Sequence, residues 1–588
     1  MPARSAGRSL GTSRRSRGRF GPGAQGERSS PVRGCVRVPE PVDVCVVGSG
    51  AGGAPIALEL ARAGLSVVVL EKGPARGPGD HVHDELSIVR RDFFVPFVAD
   101  EPHVLREREA VQGERTNFGW VASCVGGGTV HWAGFAFRMA PEDFRRRTLM
   151  GPVAGSSVAD WPISYDDLEP YYQKAETLIG VSGVGGSPFE PRRSAGYPVP
   201  PLPAHPISTA VERAATALGL HPYPTPKAIL SQPYRGRSAC MLCDFCGSYG
   251  CEMGAKGSTA DALLPEATAT GRCEVRPFAM AREVVVDRSG KAVSVLYSDR
   301  SGALVEQRAG AIVLACSTVE TPRLLLASRS SSFPDGLANS SGLVGRNLVM
   351  VGRGGGAADF LHDGRARLGE LRSARPFVGR AIRDLYEGGG TLVFELAQKS
   401  PILVAERLSS GPGGRTIWGK ALKDRLRAHY REGVHLGFEA FSETLPVEAC
   451  AVDLDPAVRD RFGLAAARIT LQRHESDAGR SASLVAKGME ILDRMRPDRV
   501  VGSVSGELYD VLQCGTCRFG TDPTASVLDP DCRAHDVPNL WIVDGSFMPN
   551  AGAVPNTLTI LANSFRVADK MNAAARRGEL GRHAPSAS

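Results

Sequence analysis

The stretch Val42–Val47 runs directly into Gly48-Ser49-Gly50-Ala51-Gly52-Gly53, and that junction constrains the fold more than any other feature of the chain. Val42-Asp-Val-Cys-Val-Val47 is β-branched and barely alternates, as expected of a strand buried on both faces. An Ala- and Leu-rich segment, Ala54 to Ala63, follows and reads as a helix that Gly64 ends. A second β-branched run, Ser66 to Leu70, leads to Glu71. Strand, GxGxxG turn, helix, strand and acid together are the unit that binds a dinucleotide. Gly48 makes the tight turn, Gly50 lets the backbone approach a pyrophosphate, and Gly53 lets helix and strand pack closely, with Ser49 also among the expected cofactor-binding residues. The helix start offers free N–H groups and a positive dipole end to the phosphates. Glu71, 23 residues after Gly48, suits the hydroxyls of the adenosine ribose. The unit alone does not separate NAD from FAD.

Composition sets the remaining bounds. The 588 residues are 42% apolar and 23% charged, an ordinary globular balance with room for several domains. The net charge of +7 is carried by residues 1–40, which hold nine Arg and two Glu. The rest is neutral, so no nucleic-acid surface is expected. Residues 1–40 are rich in Arg, Gly, Ser and Pro and read as a disordered basic tail, and residues 577–588 read as a disordered tail. Arg14-Arg15 is not followed by an apolar run, which argues against an export signal and for a cytoplasmic protein. No stretch approaches the roughly 18 to 20 apolar residues of a membrane-spanning helix.

Three further segments carry a resemblance. Residues 123–138, Ser-Cys-Val-Gly-Gly-Gly-Thr-Val-His-Trp-Ala-Gly-Phe-Ala-Phe-Arg, look like the flavin-contacting loop of the glucose–methanol–choline (GMC) flavoprotein oxidoreductases. Residues 311–327 resemble that family's second signature. Gly515–Gly520, Asn539–Ser546 and Pro555–Ile560 resemble its C-terminal domain. Within the family the chain looks like the bacterial sugar and gluconate dehydrogenases, and residues 236–257 are similar to aminoglycoside 6′-oxidases. The resemblance implies FAD rather than NAD. It implies oxidation of a hydroxyl (CH–OH) of a sugar, aminosugar or similar polar metabolite, with hydride passing to flavin N5. The electron acceptor is left open among oxygen, a quinone and a redox partner. It also implies that Gly127, Gly128, Thr129, His131, Val284, Asp544, Gly545, Asn556 and Thr557 join the fingerprint residues around the cofactor. Asp544 would lie at the pyrophosphate or ribityl chain, and Thr557 would open a helix toward the flavin. Two readings stand for His131: a covalent bond to the flavin, or a ring packed beside it.

One position breaks the pattern. In the family a histidine three residues before Gly-Thr-Cys takes the substrate's hydroxyl proton, because imidazole titrates near working pH. Here Leu512 stands there, and leucine cannot accept a proton. Asn556 occupies the second catalytic place and would hold the substrate oxygen. Cys514, Asp510 and His131 are the candidates for the missing base. The alternative is a flavin-binding protein whose activity is lost or redox-neutral and lyase-like.

Four of the 13 cysteines, Cys240, Cys243, Cys246 and Cys251, lie within twelve residues. Their spacing admits structural thiols, an iron–sulfur centre, zinc or a disulfide. No metal ligand is assigned elsewhere.

The expected architecture is α/β: a discontinuous Rossmann-like FAD-binding domain (41–165, 240–345 and 503–576) and an α+β substrate domain (166–239 and 346–502). In the latter, Leu436–Phe441 and Ala467–Gln472 alternate as strands of one antiparallel sheet facing the substrate. Residues 482–496 read as a helix, and the glycine-rich stretches 353–356 and 387–390 as loops or lids. Glu443 either recognises a polyol or amine or sits on a solvated surface.

Overall fold

The computed structural model describes residues 36–89, 93–108, 111–120, 122–361, 368, 375–386, 390–397, 400–503 and 512–580. Val42–Val47 is a strand at the centre of the larger sheet, with Val44–Val47 buried because the sheet is covered on both faces. It pairs in parallel with Val67–Leu70 on one side and with the far half of Leu304–Leu314 on the other. Cys273–Arg276 extends the sheet beyond Val67–Leu70, and Leu540–Ile542 lies against Ile312–Leu314, both in parallel. The near half of Leu304–Leu314 turns antiparallel to Ala292–Ser298, which in turn pairs with Met280–Val286. One long strand thus joins a parallel, doubly covered sheet to an antiparallel extension. The helix Gly53–Arg62 packs on the terminal helix Thr557–Arg576, itself packed on Tyr165–Ile179.

A second sheet of six strands is antiparallel throughout. Its order runs Arg499–Ser503, Gly352–Phe360, Val434–Ser442, Gly390–Leu396, Arg380–Ile382 and Tyr223–Pro224. One face, with Phe360, Phe394, Leu436 and Phe438, buries against the helices Pro206–Thr216 and Asp477–Arg494. The other face carries Phe441 and Val393 into the core shared with the first sheet.

Several expectations change here. The glycine-rich stretch 353–356 reads as a loop, yet Gly352–Phe360 is a nine-residue strand. Its glycines answer to neighbours far away in sequence: a Cβ at Gly356 would lie 2.5 Å from the Phe438 ring and 2.7 Å from the Met489 sulfur. Of 387–390, only Gly390 lies within the described residues, and it begins a strand. Ala465–Thr470 does not join Val434–Ser442. It pairs with Ala451–Arg459 and, in parallel, with His103–Arg106 in a separate four-stranded sheet that crosses the domain boundaries drawn from sequence. The assigned tails are partly ordered. Arg37 bridges Val305, and Leu580 is buried, while 1–35 and 581–588 lie outside the described residues.

Candidate active site

The Gly48–Gly52 loop, the Gly127–Trp132 segment and the start of the terminal helix converge on a cavity of about 430 Å³. Gly48 has φ +100°, and a Cβ there would strike the Ala315 carbonyl oxygen at 2.2 Å. Only glycine makes that turn from the strand Val42–Val47 toward the helix Gly53–Arg62. Gly53 lies behind the loop, outside the cavity wall. Gly127 faces Gly50 so closely that a Cβ on it would come within 3.0 Å of the Gly50 Cα.

Glu71 is buried at the end of Val67–Leu70 and is held by chain donors: the Ser49 hydroxyl at 2.6 Å, the Ser49 N–H at 3.2 Å and the Gly73 N–H at 2.9 Å. Burial raises its carboxyl above the ordinary range, and these hydrogen bonds oppose the rise. Ser49 also accepts the Gly126 N–H at 2.9 Å, which ties the fingerprint to the glycine-rich segment. Thr129 donates to the Gly126 carbonyl at 2.6 Å.

Asp544 follows Leu540–Ile542 and borders the cavity. Its carboxylate accepts from the Ser546 hydroxyl at 2.6 Å, the Ser546 N–H at 2.9 Å, the Thr321 hydroxyl at 2.5 Å and the Ser317 N–H at 3.3 Å. Both oxygens are therefore committed to the protein, and the side chain fastens its own turn to the Ser317–Thr321 segment that enters the helix Glu320–Ala327. Burial raises this carboxyl too. Gly545, Asn556 and Thr557 complete this wall. Val284 does not reach it. Its N–H donates to the Ser328 hydroxyl at 2.9 Å, and Ala279–Arg282 line the cavity instead.

Leu512 borders the cavity with φ +60°, a left-handed backbone that a leucine rarely adopts. Its carbonyl accepts the Val351 N–H at 3.3 Å. The Asn556 side-chain amide donates to the Gln513 carbonyl at 3.1 Å and to the Cys514 sulfur at 2.9 Å. Cys514 is a poor replacement base, because it is fully buried and its thiol is pushed up to about 12. Asp510 lies outside the described residues. The His131 ring lines the cavity and stacks on Phe94, with centroids 4.6 Å apart and planes at 17°.

The cysteine-rich segment is a wall of the same cavity through Gly247 and Ser248. The Ser248 N–H donates to the His131 carbonyl at 2.8 Å. Lys256 is 2% exposed, and its ammonium donates to the carbonyls of Cys246 and Tyr249, both at 2.6 Å, and of Val130 at 3.4 Å. Sequence spacing draws attention to the thiols, but the lysine organises this segment. Among the described residues, no group of three or more His, Cys, Asp or Glu side chains is arranged to hold a metal ion, and the four cysteines are free thiols. The iron–sulfur, zinc and disulfide readings are not supported. Burial raises Cys240 to about 11 and Cys246 to about 12, which disfavours the thiolate that a metal needs.

Leu436–Phe441 lies in a strand of the six-stranded antiparallel sheet, as its alternation predicts, but sequence reasoning did not single out the side chains that this sheet brings to the cavity. Arg353, Glu439 and Phe441 reach the cavity from it, and Phe441 packs edge-on against Phe135 at 5.7 Å between centroids. Glu443, in contrast, is neither solvated nor at the cavity. It is buried and bound by Arg146 at 2.6 Å and by Arg480 at 3.4 Å.

These residues fit FAD. A buried acid with ordered donors, a glycine turn at a helix start and facing glycine backbones suit an adenosine diphosphate portion. Trp132 adds a buried indole N–H that has no partner among the described residues at the cavity wall.

Comparison with known proteins agrees. Family models described as GMC oxidoreductase match residues 59–350 and 446–564. The chain is 34% identical over 558 residues to 2-methyl-1,2-propanediol dehydrogenase of Mycolicibacterium austroafricanum, covering 90% of this chain and 94% of that one. It is 32% identical to paromamine 6′-oxidase of Streptomyces fradiae, covering 90% of each. The crystal structure of pyridoxine 4-oxidase from Mesorbium loti superposes with a TM-score of 0.58 at 18% identity, over 90% of this chain and 99% of that one, and shares the fold. The chain belongs to the GMC oxidoreductases, a family of FAD-binding enzymes, and is an oxidoreductase of that family.

Proposed function

We propose that the protein oxidises a hydroxyl group of a sugar, aminosugar or comparable polyhydroxylated metabolite to a carbonyl. The observation that carries this reading is the meeting, in one cavity, of the dinucleotide fingerprint, the His131 segment and Asn556 with polar side chains from the six-stranded sheet. The names of the relatives support it, since a propanediol and paromamine each carry more than one hydroxyl. We assign residues 41–165, 240–345 and 503–576 to cofactor binding and 166–239 and 346–502 to the substrate side. The cytoplasmic reading rests on the sequence argument alone.

Glu71, Ser49 and the glycine turn hold the adenosine and phosphate portion, and Gly127, Gly128, Thr129, Gly545 and Thr557 border the remainder. Bound FAD supplies a two-electron acceptor for the carbinol hydride. Trp132, Phe135 and Phe441 place apolar surface around the reacting carbon and exclude water from it. The amide N–H groups of Asn556 are spent on Gln513 and Cys514, so its carbonyl oxygen is the atom that faces the substrate hydroxyl. Among the described residues on the substrate side, the His131 imidazole lines the cavity and is able to take the hydroxyl proton. His131 packed beside the flavin, without a covalent bond, is the reading favoured by its stack on Phe94.

Leu512 favours a second reading, a flavin protein that oxidises no alcohol. Reduction of an artificial dye by sugars, aminoglycosides and aliphatic alcohols, with identification of the carbonyl product, tests the first. Turnover with a polyhydroxylated compound is expected. A holoenzyme that reduces the dye with none of them supports the second reading.

A further inference from the structure

Two charged side chains meet on the cavity face of the six-stranded sheet. Arg353 and Glu439 approach to 3.4 Å, and their side chains are 33% and 23% exposed. Strand register explains the opening above them. Phe441 stands opposite Arg353, while Glu439 lies between Gly355 and Val393 on the neighbouring strands. Directly opposite residues share a face of a sheet, and Gly355 brings no side chain to the face beside the carboxylate, its backbone lying so close that a Cβ would come within 2.6 Å of the Phe438 carbonyl oxygen.

Another carboxylate on this face behaves differently. Glu395 pairs with Gly437, two residues from Glu439, and its oxygen lies 2.5 Å from the ammonium of Lys227. That pair is closed off, at 5% and 1% exposure for the two residues. The Arg353–Glu439 pair is longer, more open and borders the cavity. It also lies near the reacting end. Val351, two residues before Arg353, donates its N–H to the Leu512 carbonyl at 3.3 Å, and Met350 pairs with Gln513, whose carbonyl binds Asn556.

The geometry points to the Arg353–Glu439 pair as the anchor for a second polar group of the substrate, which makes vicinal diols and amino alcohols the preferred class. A guanidinium offers several donors and a carboxylate several acceptors, so one hydroxyl can donate to Glu439 and accept from Arg353 together. Charge-assisted hydrogen bonds beside the aromatic surface of Phe441 discriminate strongly against a compound lacking that hydroxyl. The assignment rests on the alcohol-binding reading of the same cavity.

The test is isothermal titration calorimetry of the FAD-loaded full chain with pinacol, a vicinal diol whose carbinol carbons carry no hydrogen and which cannot be oxidised. Thexyl alcohol, the same skeleton with one tertiary hydroxyl, is the control. Pinacol is expected to bind about tenfold tighter, the step of one good charge-assisted hydrogen bond. Glu439→Gln and Arg353→Gln are each expected to bring the two affinities within about twofold, with FAD content and thexyl alcohol affinity unchanged. If one variant loses FAD, the other decides. A wild type without diol preference, or a preference that survives substitution, overturns the assignment. Dye reduction is read separately. Pair-dependent diol binding in a protein that oxidises nothing upholds the anchor and contradicts alcohol oxidation. Alcohol oxidation with a diol preference indifferent to the pair does the reverse.

Discussion

The Asn556 side-chain amide donates to the Cys514 sulfur at 2.9 Å and thereby ties the start of the terminal helix to the strand beside Leu512. The two family catalytic positions are thus braced against each other, yet one of them holds a side chain that takes no proton. Leu512 also sits at φ +60°, where histidine is better tolerated than leucine. Leu512→His is expected to fold at least as well as the wild type and to raise kcat for alcohol oxidation by about 10². Its rate should gain a limb near the ordinary imidazole pKa, about 6.5. A pH–rate profile of both proteins checks this.

Glu71→Ala leaves the Ser49 and Gly73 N–H groups without their acceptor. The variant should retain its fold and lose FAD affinity by about tenfold or more, since a hydrogen bond to a charged group contributes roughly 1.5–3 kcal/mol. The ratio of flavin to protein after dialysis measures the loss.

Lys256→Met should unfold early. It strips the carbonyls of Cys246, Tyr249 and Val130 of their shared donor in a buried setting, at a cost of about 3 kcal/mol. The fall in Tm is the readout. Cys243→Ser, at a half-buried thiol in the same segment, should leave both Tm and FAD content nearly unchanged.

How much of this is legible in the sequence depends on whether the cause of each residue is local. Gly48 is readable because the turn it makes lies between adjacent elements. Gly356 is not, because it imitates a loop residue while its reason is the ring of Phe438 on another strand. Arg353 and Glu439 meet only through cross-strand register, which no spacing along the chain announces. Alternation identifies Ala465–Thr470 as a strand but carries no information about its partner, which is why sequence alone assigns it to the wrong sheet. The cysteines draw a metal reading from spacing alone, whereas the buried ammonium of Lys256 does the organising.

Stability should fall with pH through Asp143. Its buried carboxyl is pushed up to about 7 from an ordinary 3.8, with the Tyr386 hydroxyl and the Ala140 N–H opposing that rise. Folding therefore favours the protonated form. That contribution is complete below about pH 4 and is lost as pH rises through about 7, a change of at most about 4 kcal/mol. Asp143→Asn should flatten this slope. Denaturation midpoints of both proteins across that window decide it.

The flavin should leave the protein when it is precipitated with acid, the outcome expected of a His131 ring packed beside it without a covalent bond. Colour that stays with the pellet would indicate a covalent bond instead.

The most direct test of the central claim is to mix the FAD-loaded protein, without oxygen, with sugars, aminoglycosides and aliphatic alcohols and to follow the flavin absorbance. Bleaching by a polyhydroxylated member is the expected result and would establish alcohol oxidation with leucine at position 512. Flavin that stays oxidised with every compound would contradict the account.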